Sequence, residues 1–167
     1  QTLTVTFTVT ASPVIALTPT SLTYSASQGG ANPASQFTTI NNSGSGTLNG
    51  LSIGTITYGA GASGWLQAPV LSGPTAPATV TVQPVTGALA PGTYTATVPV
   101  LSGVASNSPQ NLAVTFTVVA PPGIGLTPTS LSFTAAPGGG NPASKLTNIS
   151  NSGGGTLSGL SVGTITY

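Results

Sequence analysis

The chain reads as all-β, built of antiparallel β-sandwich domains in tandem with a 109-residue repeat. Three observations predict this. The first is the repeat itself. Gln1–Thr10, QTLTVTFTVT, returns as Gln110–Val119, QNLAVTFTVV, and the offset of 109 holds without a gap to Tyr58/Tyr167, with 39 of 58 aligned pairs identical. Periods of about 20 to 50 residues mark solenoids, whereas a unit of about 100 residues buries its own core, so the pattern is that of separate domains on a string. The second is apolar/Thr alternation with a period of two, in runs of β-branched residues. The third is punctuation: 23 Gly and 15 Pro set turn signals between short runs, and no segment has a helical period.

Taken in order, Thr2–Thr10 places Leu3, Val5, Phe7 and Val9 on one face and Thr on the other. This predicts a half-buried strand, residues 1–10 being the closing strand of a preceding repeat, as Leu112, Val114, Phe116 and Val118 close theirs. Ala11, Ser12 and Pro13, echoed by Ala120, Pro121 and Pro122, form a short stiff linker. A complete domain is expected over 14–119. In VIALTPTSLTYSA, Ile15 and Leu17 share one parity, Leu22 and Tyr24 the other, and Pro19 lies between. That fits a first strand that switches sheets. QGGANPAS (Gln28–Ser35) is a loop, and the next strand is Gln36–Asn41.

NSGSG (Asn42–Gly46) supplies turn residues that tolerate positive φ, so the chain reverses there into Leu48–Tyr58. Within that strand the apolar parity shifts from Leu51 and Ile53 to Ile56 and Tyr58, which places a bulge or tight turn at Gly54. A small-residue loop leads to Trp65, the one tryptophan, and Ala78–Gln83 is the next strand. Tyr94, Ala96, Val98 and Val100 form the inward face of another, in which Pro99 has to meet a bulge or a sheet edge. Gln110–Val119 brings the count to seven or eight strands, the pattern of an immunoglobulin-like sandwich. Gly92-Thr93-Tyr94 has the form of a tyrosine corner, with Ala96 where antibody domains carry cysteine.

Composition removes whole classes of chemistry. The sequence has no Asp, Glu, His, Cys or Met, and Lys145 is its one cationic side chain. General acid–base catalysis and activated nucleophiles need titratable groups, so an enzyme is not expected. Lys145 could form a Schiff base, but Gln36 stands at the same place in the first copy, and a solvated surface lysine is the plainer reading. Zinc needs Cys or His and calcium needs carboxylates, so no metal or other cofactor is expected. Nucleic-acid binding fails for want of clustered Lys and Arg. No apolar run approaches a transmembrane helix, and a membrane barrel wants aromatic girdles that 5% aromatic content does not supply.

LTPTSLTYSA, GGANPASQ, NNSGSGTL, the GWL at Gly64–Leu66, APATVTVQP (Ala76–Pro84), LAPGTYTATV and NSPQNLAVTFTV together resemble the BACON-type and related bacterial immunoglobulin-like repeats. The resemblance spans the complete domain and both partial ones. It implies an extracellular or cell-surface location, tandem arrangement as spacers, and in some members carbohydrate binding. Exposed aromatic rings are the usual sugar platforms, and the candidates for ligand or glycan contact are Trp65, Tyr58 and Phe37, against core packing for Trp65. Asn41 and Asn148 head N-x-S glycosylation sequons, and the outward Thr and Ser offer O-linked sites.

Sheet edges without charge and a net charge near zero favour association of copies, end to end or laterally. Gly123–Tyr167, 45 residues, corresponds to Val14–Tyr58, the first half of a repeat, and lacks counterparts of Gly59–Val119 with three strands. A piece of that size with open edges does not fold alone, so a longer continuous polypeptide is expected. Completion by Thr2–Thr10 of another subunit, which replaces one strand of the three, is the alternative.

Overall fold

The computed structural model describes residues 1–167. Its strands are β1 (Ile15–Thr18), β2 (Ser21–Ser27), β3 (Gln36–Asn42), β4 (Ser52–Ile53), β5 (Thr57–Tyr58), β6 (Val70–Leu71), β7 (Ala78–Val82), β8 (Gly92–Leu101), β9 (Gln110–Val119), β10 (Ile124–Thr127) and β11 (Asn148–Asn151). There is no helix. The chain divides into two units, Gln1–Val118 and Val119–Tyr167.

In the first unit one sheet runs β1-β3-β7-β6 and the other β2-β9-β8-β4, with β5 also on β8. Alternation fixes which side of each strand is wet. Ala78, Val80 and Val82 of β7, Ala96, Val98 and Val100 of β8, and Leu112, Val114, Phe116 and Val118 of β9 are buried, and join Ile15, Leu17, Leu22, Tyr24 and Ile40 in one core between the sheets. Burying one such aliphatic or aromatic side chain contributes roughly 1.5–3 kcal/mol.

The parity switch at Pro19 has a geometric cause. A chain that crosses from one sheet to the facing one must turn its other side to the core, so Ile15 and Leu17 point inward from β1, and Leu22 and Tyr24 from β2. Backbone groups freed at the crossing find partners: Thr38 Oγ1 donates to Pro19 O at 2.5 Å, and Ala113 N to Thr20 O at 3.0 Å.

The two irregularities at Gly54 and Pro99 are one feature. Ile53 pairs with Val100 and Thr57 with Thr97, so three residues, Gly54 to Ile56, oppose two, Val98 and Pro99. Gly54 N donates to Pro99 O at 2.8 Å. Nitrogen and carbonyl of one residue point the same way in an antiparallel ladder, so the ring nitrogen of Pro99 faces the bulge, and no bond to Asn111 on β9 is lost. A Cβ on Gly54 would lie 2.6 Å from Leu101 Cδ1 and 3.2 Å from Pro99 Cβ, which accounts for the glycine.

After β3 the turn is held by Asn42, whose Oδ1 accepts from Val14 N and Gly44 N at 3.0 Å each while its Nδ2 donates to Gly46 O at 2.8 Å. Gly46 takes φ +71° there.

Two expectations need correction. Leu48–Tyr58 is not one bulged strand: Leu48 and Leu51 plug the core from an irregular connection bonded to Pro74 and Ala76, and pairing is confined to β4 and β5. The short β6 brings the strands between residues 14 and 119 to nine, against seven or eight expected. Apart from these, Gln1–Ser12 has no strand partner among residues 1–167, and Leu3, Val5, Phe7 and Val9 are exposed.

In the second unit β10 pairs with β11 in the register of β1 with β3, Ile124 opposite Asn151 as Ile15 is opposite Asn42. Asn151 repeats the turn bonds of Asn42, to Gly123 N, Gly153 N and Gly155 O. Leu131–Ala135 forms no strand, although Leu22–Ala26, the same positions one repeat earlier, lies in β2. In the first unit β2 is bonded to β9, and β4 and β5 to β8.

Candidate functional site

The sequence candidates fall in separate places. Tyr58 and Trp65 meet at one end of the first unit. Gly59 N donates to Thr95 O at 2.9 Å, which anchors the loop after β5, and Gly61 at φ +107° passes the Tyr94 ring. Trp65 then pairs across to Val85, whose N donates to Trp65 O at 2.7 Å, and Leu66 bridges Pro84. This pairing aims the indole inward. Trp65 is 3% exposed, with ring centroids 5.7 Å from Tyr58 in a T-shaped contact, 5.7 Å from Phe116 and 6.4 Å from Tyr94. It is a core residue and not an exposed platform.

Tyr58 is half-buried, with its ring against the indole. Tyr94 OH donates to Ala90 O at 2.9 Å, the bond a tyrosine corner makes. Trp65 Nε1 is buried and has no hydrogen-bond partner.

Beside Trp65 a cleft of about 330 Å³ opens between Ser63–Gly64 and Val85–Leu89. Its floor is pinned by Thr86, which takes Asn32 Oδ1 on its N–H at 2.9 Å and gives its hydroxyl to Ala31 O at 3.2 Å. The lining holds no ionisable side chain, so the cleft can offer apolar contact and a few neutral polar groups.

Phe37 stands apart on the outer face of the other sheet, 58% exposed. Register puts it in one row with Thr81 and with Val70, which is 64% exposed. Asn41 on β3 and Asn148 on β11 are both exposed. Lys145 Nζ donates to Ser132 O at 2.5 Å and lies 5.5 Å from the Phe133 ring centroid. Gln36 Nε2 makes the corresponding bond to Thr23 O at 2.7 Å, so the lysine replaces a structural amide.

Two further features had no sequence signal. Asn107 clasps the backbone of Ile15, accepting from its N–H and donating to its carbonyl, both at 2.9 Å. In the second unit Ile124, Leu126, Ile149, Leu160 and Val162 line an apolar groove of about 540 Å³. The residues 109 positions earlier, Ile15, Leu17, Ile40, Leu51 and Ile53, belong to or pack against the first unit's core.

Of the ionisable groups, the Tyr24 phenol is perturbed. Burial raises its pKa, and a hydrogen bond with the Gln36 backbone lowers it by less. Its hydroxyl donates to Val82 O at 2.8 Å.

No family model matches the chain, and neither does any curated protein. No helix is long and apolar enough to cross a membrane, which leaves membrane-crossing strands unaddressed.

Proposed function

We propose that this is a structural extracellular protein whose immunoglobulin-like domains repeat every 109 residues and form a rod, fibre or cell-surface filament. The observation that supports it is where the backbone enters and leaves the first unit. Pro13 O accepts from Ser106 N at 3.0 Å, and Asn107 clasps Ile15, which fixes the entering chain beside the β8–β9 connection. The chain leaves at Val118, opposite Gly92, at the other end of the same pair of strands. The ladder between runs from Val100/Gln110 to Gly92/Val118, eight residue steps or about 27 Å. A domain that takes in the chain at one end and releases it at the other extends a string of its kind.

Negative-stain electron microscopy of concentrated protein tests this. The reading expects threads about one sandwich wide, and isolated particles at every concentration would overturn it.

An adhesin or carbohydrate-binding module is the second reading, favoured by the exposed Phe37–Thr81–Val70 row. Glycan-panel binding that is lost in Phe37→Ala, with melting unchanged, would put it first.

A further inference from the structure

We infer that two copies of this chain pair face to face through the outer side of the β1-β3-β7-β6 sheet, on a two-fold axis that passes between their Thr81 side chains. This contact goes beyond the filament reading and does not depend on it.

Alternation puts Phe37, Thr39, Thr79, Thr81 and Val70 on that side of the sheet. None of them is ionisable. Between residues 14 and 119 the exposed large apolar side chains are Phe37, Val70 and Val104, and two of the three stand in one row.

The register makes that row symmetric. Thr81 lies opposite Phe37 on β3 and opposite Val70 on β6, one strand spacing of about 4.8 Å to either side. A two-fold axis along the strand direction at Thr81 therefore sets Phe37 of each copy over Val70 of the other, with the two small Thr81 side chains between. The row is its own complement, as an isologous contact requires. A large apolar residue recurs at this place one repeat on, Leu146 for Phe37. A copy also suits the face in charge, because a chain with one lysine and no carboxylate meets itself without like-charge repulsion.

The other lateral route, strand addition at a sheet edge, is obstructed. Ser43 N donates to Val14 O, so the backbone groups of Ile15 face away from β3, and Asn107 takes both of them. On β2, Gln36 Nε2 takes Thr23 O. The remaining edges are the two-residue strands β4, β5 and β6, too short to template a partner.

Four strands and five residues give the face a footprint of roughly 20 by 17 Å. This is the small, transient end of protein interfaces. One domain therefore pairs weakly, and a tandem array of such faces multiplies the contact.

The sequence has no cysteine, which gives a clean background for cross-linking. Facing sheets sit about 10 Å apart, beyond the reach of a disulfide, so a short bismaleimide is the probe. Thr81→Cys, treated with it at concentrations rising to about 1 mM, should give a band at twice 16.0 kDa on a denaturing gel. Thr115→Cys, on the outer side of β9, should not. Adding Phe37→Thr and Val70→Thr, which keeps β-branched residues at exposed strand positions, should abolish the Thr81→Cys band while melting and Trp65 fluorescence stay unchanged. A monomer band alone at every concentration, a Thr115→Cys band as strong as that of Thr81→Cys, or a band that survives Phe37→Thr/Val70→Thr would each overturn the pair. Failure of the pair leaves the filament reading standing, since threads one sandwich wide need no lateral contact.

Discussion

Replacing Trp65 separates core from ligand platform. The indole is 3% exposed and packs on Tyr58, Tyr94 and Phe116. Trp65→Ala should therefore cost about 3–5 kcal/mol, from lost burial and the cavity left behind. Trp65→Phe behaves differently. It gives up roughly 1–2 kcal/mol of apolar contact, but it also removes a buried N–H that has no acceptor. Leaving such a donor unpaired costs about 1–3 kcal/mol. The two effects nearly offset, so Trp65→Phe should lie within about 1 kcal/mol of the parent. Equilibrium urea unfolding followed by far-UV circular dichroism measures both variants, and since Trp65 is in the first unit, that unit's transition should move. A Trp65→Ala change below about 1 kcal/mol would refute the core assignment. A Trp65→Phe cost as large as that of Trp65→Ala would show that Nε1–H has a partner.

Asn107→Ala strips both bonds from Ile15 and should destabilise the first unit by roughly 2 kcal/mol in the same assay. With no carboxylate or imidazole in the sequence, melting temperature should stay level from about pH 4 to 9, where most proteins lose stability on the acid side. Above about pH 10, where the unfolded phenol ionises, it should fall, because the raised folded pKa of Tyr24 holds the proton that the unfolded chain releases. Tyr24→Phe should flatten that alkaline limb. EDTA should leave melting unchanged, and a drop of more than a few degrees would expose a metal site that the side-chain inventory does not provide.

How much of this was legible depends on whether a residue's position follows from its own neighbours or from a distant partner. The inward faces of β7, β8 and β9 follow from alternation alone, and so does the sheet switch at Pro19, because a change of face needs a change of parity. Gly54 and Pro99 were each readable as anomalies, but their identity as one bulge depends on the pairing of β4 and β5 with β8. Val70–Leu71 is too short to show a period.

Trp65 sits in a loop without parity, and its burial is decided by Val85 and Tyr58. Asn107 lies among turn residues and resembles any of them until Ile15 is beside it. Gln1–Thr10 carries the same alternation as β9, and alternation specifies a face and leaves the partner unspecified.

The spacing along an assembled filament tests the central claim most directly. End-to-end joining adds loops and a linker to the roughly 27 Å ladder of β8 and β9, and predicts an axial repeat of about 35–45 Å per sandwich. Sandwiches stacked side by side would instead repeat at about 20 Å, four strands at about 4.8 Å each. A layer line in the power spectrum of electron micrographs at about 35–45 Å is the result expected here, and one near 20 Å with none at the longer spacing would contradict it.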